Sequence, residues 1–175
     1  MHKWLASFVA PAFISFVITL FINARVDKIK VQRELIGASF EGVRENIDVA
    51  VKAAARYYPL DAAGRTPLLE ADIWLADREL RFAIPALLDS VSSTTKRKLE
   101  DLTEAFDDFV SELTGGSFQA KNAKPDLVHL RRIASAGSDL RARLSEVRHE
   151  EIRAALEKSP LSKLINYLNE PMGLS

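Results

Sequence analysis

Nineteen consecutive residues near the N-terminus, Trp4 to Ile22, carry no charge and read WLASFVAPAFISFVITLFI. As an α-helix rising about 1.5 Å per residue, the run covers roughly 28 Å, close to the ~30 Å hydrocarbon core of a bilayer. A buried helix of a globular domain normally keeps a polar face. Here only Ser7, Ser15 and Thr19 interrupt, and small hydroxyls can bond back to the preceding turn, which lipid tolerates. Pro11 lies mid-run and is expected to bend the helix, which membrane helices accept more readily than soluble ones. Trp4 stands where an interfacial aromatic sits. The run predicts a transmembrane anchor over residues 1–24.

A cleaved signal peptide competes with this reading, since Ile22-Asn23-Ala24 offers a small-residue cleavage context. The apolar stretch, however, exceeds the roughly 7–15 residues of a signal-peptide core. Arg25, Lys28, Lys30 and Arg33 follow it at once, whereas only Lys3 and the amino terminus precede it. Basic residues resist translocation, so the asymmetry predicts a single-pass protein of the cell inner membrane, N-terminus out, with the bulk of the chain cytoplasmic. The basic cluster can also meet anionic headgroups, at about 1 kcal/mol per charge, although such flanks commonly do no more than stop transfer.

After Pro11 no proline occurs before Pro59, so one helix is expected to run from the membrane to about Tyr58. Its apolar positions include Ile22, Val26 and Ile29. From Ile36 they continue through Phe40, Val43, Ile47, Ala50, Ala54 and Tyr57 in alternating steps of four and three, the heptad seam of packed helices. Arg33 is the one break. Gly37 and Gly42 each lower helix propensity by about 1 kcal/mol relative to Ala, so packing must hold this stretch.

The segment Pro59-Leu-Asp-Ala-Ala-Gly-Arg-Thr-Pro67 has turn chemistry throughout, and Thr66-Pro67 supplies an N-cap followed by proline at the first helical position. A second helix then carries Leu69, Ile73, Ala76, Leu80, Ile84, Leu87 and Val91, with Pro85 predicting a kink near residues 81–84. After a polar reversal at 92–95, a third helix uses Leu99, Leu102, Phe106, Phe109 and Leu113. It ends at Thr114-Gly115-Gly116, where glycine accepts a left-handed C-cap. Pro125-Asp126 opens a fourth helix with Leu130, Ile133, Gly137, Leu140, Leu144, Val147 and Ala154 inward, Gly137 permitting a close crossing. Ser159-Pro160 caps a short amphipathic segment bearing Leu161, Leu164, Ile165 and Leu168. The fold expected is all-α: an N-terminal membrane helix continuing into an antiparallel bundle of about four helices over 25–158, with an amphipathic helix and tail over 159–175.

The segment from Leu102 to Phe118, ending D-x-F-x-x-x-L-T-G-G-x-F, is carried by Asp107, Phe109, Leu113, Thr114, Gly115, Gly116 and Phe118. It resembles uncharacterised bacterial proteins that join one membrane helix to a cytoplasmic helical domain. The resemblance implies that architecture and no particular activity.

Composition narrows the chemistry. The chain lacks cysteine, which removes disulfides, iron–sulfur clusters, thiolate metal sites and a cysteine nucleophile. Its 24 basic and 24 acidic residues cancel, so no global field draws it to nucleic acid. Asp101, Glu104, Asp107 and Asp108 share one side of the third helix, but they alternate with the apolar seam as solvated acids do. His129 and His149 lack the one-turn spacing that sets two rings on one metal, and His2 precedes the anchor. Arg131, Arg132, Arg141, Arg143, Arg148 and Arg153 make the fourth helix arginine-rich, but Asp139, Glu146, Glu150, Glu151 and Glu157 share it. Arg131-Arg132-Ile133-Ala134-Ser135 has the pattern of a basic-directed kinase site, with Ser135 mid-helix. Neither a phosphate-binding glycine loop nor a serine-nucleophile elbow is present. The sequence therefore predicts no cofactor, no catalytic or metal site and no nucleic-acid partner. It predicts a bilayer-anchored helical module that binds a protein partner or itself. The alternative is a small membrane-acting effector assembling through its span.

Overall fold

The structure, a computed structural model, describes residues 2–91 and 94–157, with the side chains at 2–18, 20–22, 25, 28–29, 32–33 and 156 outside the described set. Its described residues form four α-helices and no strand: α1 His2–Tyr57, α2 Pro67–Ser90, α3 Lys96–Leu113 and α4 Leu127–Glu157. The C-terminal amphipathic segment expected at 159–175 lies outside the described residues.

α1 continues without interruption through Pro11 and Arg33, and its 56 residues extend roughly 84 Å. Among the described residues no helix is long and apolar enough to cross a membrane. The run Trp4–Ile22, with Pro11 in it, forms the first part of α1, and of its side chains only that of Thr19 belongs to the described set. The expected span therefore rests on the amino-acid sequence alone. Of the basic residues after it, Lys30 is exposed, while the side chains of Arg25, Lys28 and Arg33 are outside the described set.

The second half of α1 is the spine of the bundle. Phe40, Val43, Ile47, Ala50, Ala54 and Tyr57 are all buried, and Ile36 packs against them from the edge. α1 packs mainly on α2 and α4, and α3 packs on α4, whereas α2 and α3 barely touch. The spatial order is α2–α1–α4–α3, with successive helices antiparallel. Two cross-helix ion pairs set the register of α1 against α4: Glu41 with Arg148, and Asp48 with Arg141. As one partner rises seven residues, the other falls seven.

Local chemistry explains the helix ends. Pro59 follows Tyr58, disfavouring helical backbone there and ending α1. The Thr66 hydroxyl accepts from the Leu69 amide at 3.4 Å, and Pro67 takes the first position of α2. Pro85 does not end α2, which continues to Ser90 as one helix. Pro85 and Arg81 are both exposed, so water can satisfy the carbonyl that the proline leaves without a donor. Asp126 caps α4 by accepting from the His129 amide at 2.9 Å.

α3 begins differently. Its first residues, Lys96, Arg97 and Lys98, have the wrong sign for the positive end of a helix dipole, and Thr95 makes no side-chain cap. α4 provides the missing negative charge. Buried Glu151 accepts from the Thr94 amide at 2.7 Å and the Thr94 hydroxyl at 2.9 Å, and Glu150 pairs with Lys98 at 3.1 Å.

Gly137 is buried where α4 passes α1 and α3; a Cβ there would stand 3.0 Å from both Phe109 Cε2 and Val51 Cγ2. Gly37 has open space around the same position. Gly37→Ala is therefore expected to stabilise the chain by up to about 1 kcal/mol, while Gly137→Leu destabilises it by about 1–3 kcal/mol or more through overpacking. Chemical denaturation of both variants checks the contrast. Glu151→Ala is expected to cost about 1–3 kcal/mol by stripping partners from a buried donor pair. Hydrogen exchange should quicken first in the opening turn of α3; uniform quickening would show a different role.

Candidate functional site

The densest polar and aromatic cluster caps the bundle end where α1 finishes. Tyr57 and Tyr58, adjacent in sequence, meet edge to face at 5.2 Å and are both fully buried. Their hydroxyls reach opposite parts of the same loop. Tyr58 donates to the Leu113 carbonyl at 2.8 Å, satisfying the open end of α3, and lies 3.3 Å from the Gly115 carbonyl. Tyr57 accepts from the Gln119 amide at 3.0 Å and donates to Glu70 at 3.4 Å.

Arg65, from the loop between α1 and α2, lies over this pair. Its guanidinium carbon is 4.5 Å from the Tyr57 ring centre. Nε donates to Leu60 O at 3.0 Å, Nη1 to Ser117 O at 2.6 Å and Nη2 to Lys124 O at 3.2 Å. These contacts staple the 59–66 loop to the 114–126 loop. Only 9% of Arg65 is exposed; the aromatic faces and three carbonyls solvate its charge where no ion pair is printed by the geometry.

His129 fills the floor. It stacks edgewise on Tyr58 at 4.7 Å, and its Nδ1 lies 3.3 Å from Glu112 Oε2. Gly116 presses on the ring: a Cβ there would stand 3.0 Å from three ring atoms, and its φ of +59° is left-handed. Gly115 is equally constrained, since a Cβ would fall 2.6 Å from Ser111 O. Both glycines of Thr114-Gly115-Gly116 thus have a steric reason. Phe118 closes the cluster, 5.3 Å from Tyr57 and 5.5 Å from Trp74. Phe109 and Leu113 are core residues, while Asp107 is exposed.

Chemically the cluster is a lock. Burial first, and then the neighbouring Tyr57, pushes the Tyr58 phenol above its ordinary range, so it stays protonated and is a poor acid or nucleophile. His129 Nε2 is buried without a hydrogen-bond partner. Among the described residues no group of three or more His, Asp or Glu is placed to hold a metal ion. His149 is far along α4, exposed, with Nδ1 2.7 Å from Ser145 O.

The other sequence candidates disperse. Glu104, Asp107 and Asp108 are exposed and Asp101 half-buried, beside a shallow groove on α3. Of the α4 arginines, Arg141 and Arg148 pair with α1, Arg143 sits among Asp139 and Glu146, and Arg153 pairs with Glu157 at 2.9 Å. Arg131, Arg132 and Ser135 are exposed. Sequence reasoning missed Tyr58, Arg65, Glu112 and Glu151. A tyrosine pair at a helix end was visible, but nothing in the turn marks Arg65 as a buried staple.

A different kind of feature lies on the outer face of the α1/α2 hairpin. Leu68, Leu75 and Phe82 recur every seven residues on α2 and are 78%, 58% and 65% exposed. Val49 of α1 is exposed alongside, and Asn46, Ala53 and Ala76 line a groove of about 220 Å³ between the helices. No known protein family, no curated protein and no solved structure matches the chain.

Tyr58→Phe is expected to lower stability by about 1 kcal/mol at neutral pH through the lost hydrogen bond. The unfolded chain ionises this phenol near pH 10, whereas the folded chain keeps it protonated, so its contribution is full below about pH 10 and falls as pH rises further. The gap between parent and variant should narrow on that alkaline side. Urea midpoints at stepped pH check this, and a constant gap would contradict it.

Proposed function

We propose that this chain is a membrane-anchored, non-catalytic interaction module: Trp4–Ile22 spans the cell inner membrane, and the bundle is held on the cytoplasmic side to bind a protein partner. The observation that carries the reading is that the charge-free run and the core seam from Ile36 to Tyr57 belong to one continuous helix. An anchor built this way fixes the bundle relative to the bilayer with no flexible linker between them. The basic residues Arg25, Lys28, Lys30 and Arg33 favour the N-out, C-in orientation. The resemblance of the Leu102–Phe118 segment to single-pass bacterial proteins points the same way.

The surface offered to a partner is the α1/α2 face. Apolar residues at seven-residue spacing over a groove between two helices suit an amphipathic helix with matching apolar positions. An exposed row of Leu68, Leu75 and Phe82 is costly in solution and is the kind of patch that marks interaction sites.

Two measurements test the reading. The chain should stay with membranes through alkaline carbonate extraction, and removing residues 1–24 should release a folded bundle. Extraction of the full chain would sink the anchor. Leu75→Asp with Phe82→Asp, both exposed, should leave the unfolding midpoint within error of the parent and abolish partner cross-linking in membranes. Unchanged cross-linking would rule out this face. A collapse of membrane potential on induced expression would favour the membrane-acting effector instead.

A further inference from the structure

α1 and α4 run antiparallel with their apolar positions in step. Tyr57, Ala50 and Val43 stand level with Ile133, Leu140 and Val147, seven residues apart on each helix and all buried. The next step pairs Ile36, packed on the core, with partly buried Ala154. There the described part of α4 ends, at Glu157, while α1 continues toward its N-terminus. α2 and α3 lie beside higher turns of α1, so its apolar seam goes on without a described helix to cover it; Val26 is 41% exposed.

The chain following α4 matches that uncovered seam. Another seven residues bring Ile29 level with Leu161, and seven more bring Ile22 level with Leu168. Between these layers Val26 stands within a residue of Ile165, and Asp27 is level with Lys163, a favourable charge pair. The interruptions coincide too: Arg33 breaks the α1 seam at the height where Lys158-Ser159 breaks the other. Ser159-Pro160 can cap a new helical turn at once. A segment with no business against α1 would have no reason to keep the seven-residue phase across that proline.

We propose that residues 158–175, which lie outside the described residues, form an amphipathic strap that docks in cis on α1, covering Ile22, Val26 and Ile29 between the bundle and the membrane-facing half of the helix. The strap extends the α1/α4 pairing by two heptads. It closes this seam to a second copy of the chain, so self-association through it requires the strap to leave. The docking stands on the α1/α4 register and does not depend on whether Trp4–Ile22 enters a bilayer.

The absence of native cysteine makes the test direct. In the full chain, purified in detergent, Ile29→Cys with Leu161→Cys should form an intramolecular disulfide under mild oxidation. The level pair Ile36→Cys with Ala154→Cys serves as reference, and Ile22→Cys with Leu161→Cys, one heptad out of step, should stay reduced. Failure of the matched pair while the reference bridges would overturn the strap; so would bridging only between chains. Hydrogen exchange on the unsubstituted chain gives a second reading free of folding defects. Amides at 162–168 should be protected, and Leu161→Asp with Leu168→Asp should abolish that protection; unprotected amides in the parent would overturn the proposal. Both readouts report the intrachain contact even if carbonate extraction disproves the anchor.

Discussion

Burial of one face of α1, from Ile36 to Tyr57, organises everything packed around it. Each large apolar side chain moved from water into that seam contributes on the order of 1.5–3 kcal/mol, and two helices, α2 and α4, share it from either side. α3 reaches the core mainly through α4. The bundle is therefore a row wrapped around α1, open along the α2/α3 edge. This leaves an outer α1/α2 face that no described helix covers, and there the exposed row Leu68, Leu75 and Phe82 lies.

Charge placement completes what apolar burial begins. Glu41 and Asp48 hold Arg148 and Arg141 in register across α1 and α4, although pairs this exposed contribute little energy. The buried polar groups matter more. Glu151 stands in for the acidic first turn that α3 lacks, and Arg65 spends its donors on the carbonyls of two loops. Removing either partner strands buried groups that water cannot reach, which costs far more than the bond is worth net.

Much of this was legible in the amino-acid sequence. The steps of three and four in α1, α2 and α3 marked the positions that are buried, from Phe40 to Tyr57, Ile73 to Leu87 and Leu102 to Leu113. Thr66-Pro67 and Thr114-Gly115-Gly116 marked helix ends, because caps and left-handed glycines are local chemistry. Pro85 misled: a missing donor predicts a kink, but on a solvent-facing turn water can take its place and α2 continues as one assigned helix. The cap cluster was hardly legible. Tyr58 and Arg65 acquire their partners from residues 113–124, some fifty positions away in the chain, and no local pattern encodes such a meeting.

The sequence by itself determined the all-helical class, the helix ends and the inward faces, since periodicity and capping act within a few residues. It also contains the charge-free run Trp4–Ile22, whose hydropathy needs no tertiary information to be read. Only the tertiary structure decided which helices are neighbours and which apolar residues stay uncovered. It alone set Glu151 under the basic start of α3, Gly116 against His129 and Gly137 between Phe109 and Val51. Those outcomes depend on how helices cross. Crossing is settled by packing between segments far apart in sequence, where a few ångströms decide whether a glycine, an arginine or a glutamate fits.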